Sequence, residues 1–104
     1  DHNKLQIDGK VEEVCSPYPM DKKFEAFQFH TITIDGHNFD EMEAAFKEAR
    51  QTKGKPTAII ANTIKGKGVS FMEDAAEWHG KAPKKEEYEV AVEDLRKEGE
   101  TLCR

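Results

Sequence analysis

The apolar positions of this chain change period along its length, and the changes mark out its elements. His30 to Ile34 reads HTITI, a run rich in β-branched residues that stops at the turn-forming pair Asp35-Gly36, and such a run predicts a strand. Beyond the turn, Asn38 stands where a helix needs a cap, with Glu41 three residues on as a capping-box-like partner. Phe39, Met42, Phe46 and Ala49 then recur at i, i+3, i+7 and i+10, which puts them on one helical stripe that should pack on a sheet. Lys53-Gly54 followed by Pro56 ends that helix. The next segment, Thr57 to Ile64, has a continuous apolar centre from Ala58 to Ala61, the pattern of a strand covered on both faces. The three elements predict an α/β fold built on a βαβ unit, with parallel strands and a right-handed crossover.

Less regular patterns flank this unit. A short helix is expected around Asp21 to Phe27, burying Phe24 and Phe27, and a last helix from about Lys84 to Glu98 with Tyr88, Ala91, Val92 and Leu95 on its apolar face. Lys65 to Pro83 is too long for a mere connection, and loops of that length are often functional or disordered. Two strands do not make a stable open parallel sheet. We therefore expect residues 1–104 to be the C-terminal portion of a larger parallel-sheet domain, truncated on its N-terminal side, with the missing strands elsewhere in the parent protein.

Composition narrows the function classes. With 36% charged residues, against about 25% in ordinary domains, and 37% hydrophobic, there is little apolar area for an independent core. The net charge of -5 opposes general affinity for nucleic acid or anionic membrane, both of which need a positive field. No apolar stretch approaches a membrane span, and no signal-peptide pattern is visible. Cys15 and Cys103 match neither a CxxC motif nor a zinc spacing, so we expect unpaired thiols in a reducing cytoplasm.

Three segments carry candidate chemistry. The first is D-H-N-K-L-Q-I-D-G, Asp1 to Gly9. If it lies at the carboxyl end of a strand, where open α/β sheets bind ligands, Asn3 can offer an amide oxygen, with a backbone carbonyl nearby as a second hard donor for Mg²⁺ or Ca²⁺. Ordinary turn chemistry uses the same residues, and the pattern alone leaves both readings open. The second is Asn62 to Ser70, N-T-I-K-G-K-G-V-S, in which glycines permit close backbone approach while Lys65 and Lys67 supply charge for an anion such as phosphate. It is not a P-loop, because Gly66-Lys67 is followed by Gly68 and no glycine stands at the required upstream position. A solvated Lys-Gly loop is the plainer alternative. The third is Glu77-Trp78-His79-Gly80, where His79 can shuttle a proton or donate to a phosphate, or simply be packed or solvated. His2, His30 and His37 lack metal-ligand spacing and are read as structural or exposed.

Taken in order, DxNxxQxDG, FxxFxFHTITIDGHNFDEMEAAF, KPTAIIANTIKGKGVSFMED and EWHGKAP resemble transketolase, in particular the separately encoded N-terminal subunit of split transketolases. The resemblance covers nearly the whole chain up to about Gly99. It implies the C-terminal part of a thiamine-diphosphate-binding domain. Asn3 would ligate a divalent ion, Mg²⁺ or Ca²⁺, through its side chain and Leu5 through its backbone carbonyl, and the ion would bind the cofactor's diphosphate. Lys65 would lie near cofactor and substrate, and His79 would contact the diphosphate and assist proton transfer. The implied reaction moves a two-carbon ketol unit between sugar phosphates, with a C-terminal subunit or domain as partner in a dimer or heterotetramer. The Gly-Asp-Gly motif that opens the family's metal site lies upstream of the position of Asn3, so the chain alone is expected to be inactive. Gln28 departs from the family, which usually has Gly there to permit a left-handed cap, a conformation Gln reaches only at about 1 kcal/mol. A reading from another class is a non-catalytic module whose Lys65 to Gly68 loop holds a phosphorylated ligand.

Overall fold

The computed structural model describes residues 1–102. At its centre β3 (His30–Asp35) and β4 (Thr57–Asn62) lie parallel, with His30 opposite Thr57 and Asp35 opposite Asn62, and α3 (Phe39–Gln51) joins them. The expected βαβ unit is therefore present. Asn38 caps α3 as its sequence position requires: its side-chain oxygen accepts from the backbone N–H groups of Asp40 (3.1 Å) and Glu41 (3.3 Å), and its amide donates to the Glu41 carboxylate at 2.9 Å. Glu41 closes the turn differently from a strict capping box, because its other oxygen accepts from the Asp35 N–H rather than from the cap residue.

The N-terminal segment extends this sheet beyond β4. His2 forms a parallel bridge to Asn62, donating its N–H to the Ala61 carbonyl (2.8 Å) and accepting at its own carbonyl from Thr63 (3.1 Å). Residues 1–3 thus run along the carboxyl end of β4. The chain then makes a hairpin, β1 (Leu5–Gln6) against β2 (Gly9–Lys10), and a single turn of helix, α1 (Val11–Val14). Sequence periodicity misses all three, since elements of two to four residues are too short to show a period.

Side chains along β3 alternate between faces. His30, Ile32 and Ile34 face α3, where His30 meets the Glu48 carboxylate at 2.5 Å. α3 does not present the expected stripe. Ala45 is the residue it buries, with Met42 and Ala49 half-buried beside it, whereas Phe39 and Phe46 are 71% and 55% exposed. A small residue at the contact lets the helix approach the strands, and the two phenylalanines fall to its flank.

α2 (Met20–Ala26) covers part of β3, and here too the expected burial is corrected. Phe27 is 78% exposed and Phe24 is only partly covered, by an edge contact with Phe29 at 5.3 Å. The cause is the turn at Gln28, which takes φ 64. Its N–H donates to the Glu25 carbonyl and the Phe29 N–H to the Phe24 carbonyl, the paired bonds of a Schellman cap. The left-handed step is made here by Gln, and it swings Phe29 rather than Phe27 toward the sheet.

The segment from Lys65 to Pro83 is ordered by its own contacts. It buries Val69, contains a 3-10 turn at Ala76–Trp78, and ties Trp78 down through a 3.1 Å bond from its indole N–H to the Phe71 carbonyl. α4 (Lys85–Leu102) is held to this segment by Asp94, which accepts from both the backbone N–H (2.9 Å) and the hydroxyl (2.6 Å) of Ser70. On its apolar face Ala91 and Val92 are half-buried, whereas Tyr88 and Leu95 are exposed. Only Ile34, Ala45, Ile60 and Val69 are buried among the described hydrophobic residues. The radius of gyration is 16.7 Å and the thinnest extent 16 Å, against about 13 Å for the radius of a compact domain of this length. The molecule is a thin slab with open apolar faces. No helix among the described residues is long and apolar enough to cross a membrane.

Candidate functional site

The sequence at Asn3 builds a compact donor pair. Lys4 adopts φ 63, which folds the backbone so that the Asn3 side-chain oxygen accepts from the Leu5 N–H at 3.0 Å. An amide oxygen has two lone pairs, so one remains for a cation. The segment is fixed from both sides. The His2 imidazole contacts the Asn62 side-chain oxygen (2.7 Å) and the Tyr18 hydroxyl (2.5 Å), Asp1 accepts from the Thr63 hydroxyl, and the Lys4 carbonyl accepts from the Val11 N–H.

Lys65 follows β4 by three residues. Its backbone carbonyl accepts from the Asp74 N–H at 2.9 Å, and its side chain has no ion-pair partner among the described residues. His79 stands at the end of the 3-10 turn, its N–H donating to the Ala76 carbonyl at 3.0 Å. Asn3, Leu5, Lys65 and His79 line one cleft of about 30 Å³, together with Gln6 and Ala76. All four residues singled out from the sequence are thus brought together, although 76 positions separate the first from the last. Sequence reasoning misses Gln6 and Ala76, for which no chemical signal exists, and the anchoring roles of His2, Tyr18 and Asn62, which depend on the bridge between segments distant in sequence.

Lys67 does not join them. Its ammonium pairs with the Glu73 carboxylate at 3.2 Å, which also accepts from the Gly68 N–H at 2.9 Å. These bonds, the Gly68 N–H foremost and Lys67 next, hold the Glu73 carboxyl below its ordinary range. Of the two lysines of this loop, Lys65 lines the cleft and Lys67 pairs within its own loop. Cys15 is a free, exposed thiol, and Cys103 lies outside the described residues.

The chemistry of the donor set suits a hard cation beside an anion. No three His, Cys, Asp or Glu side chains gather as a metal set among the described residues, so a nitrogen or thiolate site is not formed. The amide oxygen of Asn3 and the carbonyl of Leu5 are the oxygen donors that Mg²⁺ or Ca²⁺ accepts. Two such donors are fewer than the shell of either ion holds. The Lys65 and His79 side chains line the same cleft, at the end of a parallel strand.

The comparisons with known proteins give the family. Residues 1–99 match the family model described as the thiamine-diphosphate-binding domain of transketolase, and the chain belongs to this family. It is 44% identical over 99 residues to the 6-deoxy-6-sulfo-D-fructose transketolase subunit SqwG of Clostridium sp. (strain MSTE9), covering 95% of this chain and 36% of that protein. It is 42% identical over 98 residues to one of the subunits of the apulose-4-phosphate transketolase of Actinobacillus succinogenes, covering 94% and 35%. Among solved structures, the transketolase of Campylobacter jejuni superposes with a TM-score of 0.82 at 31% identity, over 91% of this chain and 15% of that one. The chain spans about a third of the length of the curated relatives it matches.

Proposed function

We propose that this chain forms the carboxyl-terminal part of the diphosphate side of a transketolase cofactor site, acting within a larger subunit that transfers a two-carbon ketol unit between sugar phosphates. The observation that carries this reading is the convergence of Asn3, Leu5, Lys65 and His79 on one cleft in a chain of this family. Asn3 holds a divalent ion, Mg²⁺ or Ca²⁺, through its side-chain oxygen, and Leu5 holds it through its backbone carbonyl. An ion held there would offset the charge of the cofactor's diphosphate. Lys65 adds a positive charge at the edge facing the substrate. His79 donates a hydrogen bond to the diphosphate and moves a proton at its imidazole, whose pKa range suits transfer in either direction. Thiamine diphosphate, when bound, supplies the electron sink that carbon-carbon cleavage of a ketose requires.

The remaining elements of the site come from outside this chain. Two donors do not complete the octahedral shell of Mg²⁺, and the open faces around Phe39, Phe46 and Leu95 suit burial by the rest of the domain and by a C-terminal subunit or domain, in a dimer or heterotetramer. The names of the relatives point to sulfonated and phosphorylated sugars as substrates of those proteins, and a sugar phosphate is the class we assign here. The setting is the cytoplasm, where Cys15 stays reduced. The test is cofactor binding by the full-length protein in complex with its C-terminal partner, titrated with Mg²⁺. Asn3→Ala is expected to weaken metal-dependent thiamine diphosphate binding by at least about tenfold, the lower bound for disturbing a metal's surroundings. Unchanged binding would remove Asn3 from the metal site.

A further inference from the structure

We propose that His37 is a positioning residue that sets Lys65 in the site through the backbone of Ile64; the claim rests on the functional reading above for its catalytic consequence, though not for its geometry. The three residues that lead from β4 into the cleft are each held by a different part of the fold. Thr63 donates its N–H to the His2 carbonyl at 3.1 Å, and Lys65 accepts at its carbonyl from Asp74 at 2.9 Å. Between them, the Ile64 N–H donates to the Nε2 of His37 at 2.7 Å. His37 is the side chain that holds the backbone of the middle residue. A backbone N–H cannot accept, so Nε2 must be bare and any ring proton must sit on Nδ1.

The imidazole is itself well placed for this. The His37 N–H donates to the Asp35 carboxylate at 2.9 Å, Gly36 donates to the Asn62 carbonyl at 2.7 Å, and Asn38 donates to the Asp35 carbonyl at 3.2 Å. The turn between β3 and α3 is therefore fastened at its base to the end of β4, and the ring reaches across to the next peptide. Lys65 takes its backbone direction from that peptide. Its ammonium has four side-chain torsions to settle, so a fixed start to the side chain limits where the charge can go. Without the His37 acceptor the Ile64 N–H would turn to water, and the approach of Lys65 to the cleft would lose its middle anchor. His37 lies outside the residues that line the cleft, so it acts through Lys65 rather than on a ligand.

Two measurements on the full-length protein in complex with its C-terminal partner test this. In amide hydrogen exchange, His37→Leu is expected to speed exchange at Ile64 by about three- to tenfold, the equivalent of one net hydrogen bond. His37→Gln, which keeps an acceptor at similar reach, should change it by less than about twofold on the same scale. In ketol transfer, His37→Leu should lower kcat/KM by about three- to tenfold in the Lys65 background and by less than about twofold once Lys65→Ala is present, because residues acting in series are not additive. His37→Gln should restore most of the loss. Unaltered exchange at Ile64 in His37→Leu overturns the geometric claim, and a fully additive double variant overturns the route through Lys65. Should the leucine variant not assemble, His37→Asn, whose acceptor is too short to reach, takes its place in both measurements. If the wild-type assembly shows no cofactor-dependent transfer, the functional reading fails while the exchange result still decides whether His37 holds Ile64.

Discussion

Gly66 joins Lys65 to the ordered loop, and replacing it with alanine probes how tightly that loop is built. The residue has φ 71, and a Cβ there would stand 2.6 Å from the Met72 carbonyl oxygen and 2.7 Å from the Met72 Cβ. Both are fixed by backbone, and the Met72 N–H is itself bonded to the Val69 carbonyl at 2.9 Å. Two costs follow. The left-handed backbone costs an alanine about 1 kcal/mol, and relieving the overlap by shifting backbone costs about 2 kcal/mol more. Gly54 supplies the control, since it has φ 80 but open space around its Cβ position, so Gly54→Ala meets only the first cost. The lower chain entropy of unfolded alanine offsets both variants equally. The difference between them is therefore about 2 kcal/mol, or about 4–8 °C in Tm for a domain of 150–250 residues. Thermal unfolding of the two variants of the full-length protein reads it. Equal shifts for Gly66→Ala and Gly54→Ala would refute the packing of the loop against Met72.

Three further outcomes are expected. In the assembled enzyme, His79→Ala should lower kcat by more than it raises the Kd for thiamine diphosphate, by about 10²-fold or more for a lost proton-transfer group; an unchanged kcat would take His79 out of the mechanism. The isolated 104-residue chain should show no thiamine diphosphate binding at micromolar cofactor by calorimetry, because Asn3 and Leu5 complete too little of the metal shell, and micromolar affinity would contradict that. The Ser70 hydroxyl, then its N–H, hold the Asp94 carboxyl below the ordinary aspartate value. A carboxyl depressed in the folded state stabilises above its unfolded value and loses that contribution as pH falls through the folded one. Ser70→Ala should move the Asp94 titration, followed by carbon NMR, back up toward the ordinary value and shrink the part of the stability that is lost on acidification; an unmoved titration would rule out the hydroxyl as its main cause.

Local period and turn chemistry are what the sequence makes legible. The TITI and AIIA runs, the Asn38 cap and the Gly54-Lys55-Pro56 stop place β3, α3 and β4 to within a residue or two. Burial at Phe27, Phe39 and Phe46 is not legible in the same way, because periodicity reports which residues share a face, not whether a partner covers that face. Gln28 stands out in the sequence as the anomalous residue of the α2 cap, and it is where the chain makes its left-handed step. The four residues of the proposed site are singled out through motif resemblance; no local pattern connects Asn3 with His79. Lys67 misleads because Glu73, six residues on, is close enough to claim its charge, a contact that depends on the fold of the loop. His37 gives no sign of its part, since its partner is the peptide N–H of a residue 27 positions away.

The central claim is that this chain supplies part of a thiamine-diphosphate site for ketol transfer. The most direct measurement is a coupled transfer assay on the full-length protein mixed with its C-terminal partner, using a ketose phosphate donor and an aldose phosphate acceptor, with and without thiamine diphosphate and Mg²⁺. Transfer that requires both cofactors and both polypeptides is the expected result; a folded, assembled pair that transfers nothing with any sugar phosphate would contradict the claim.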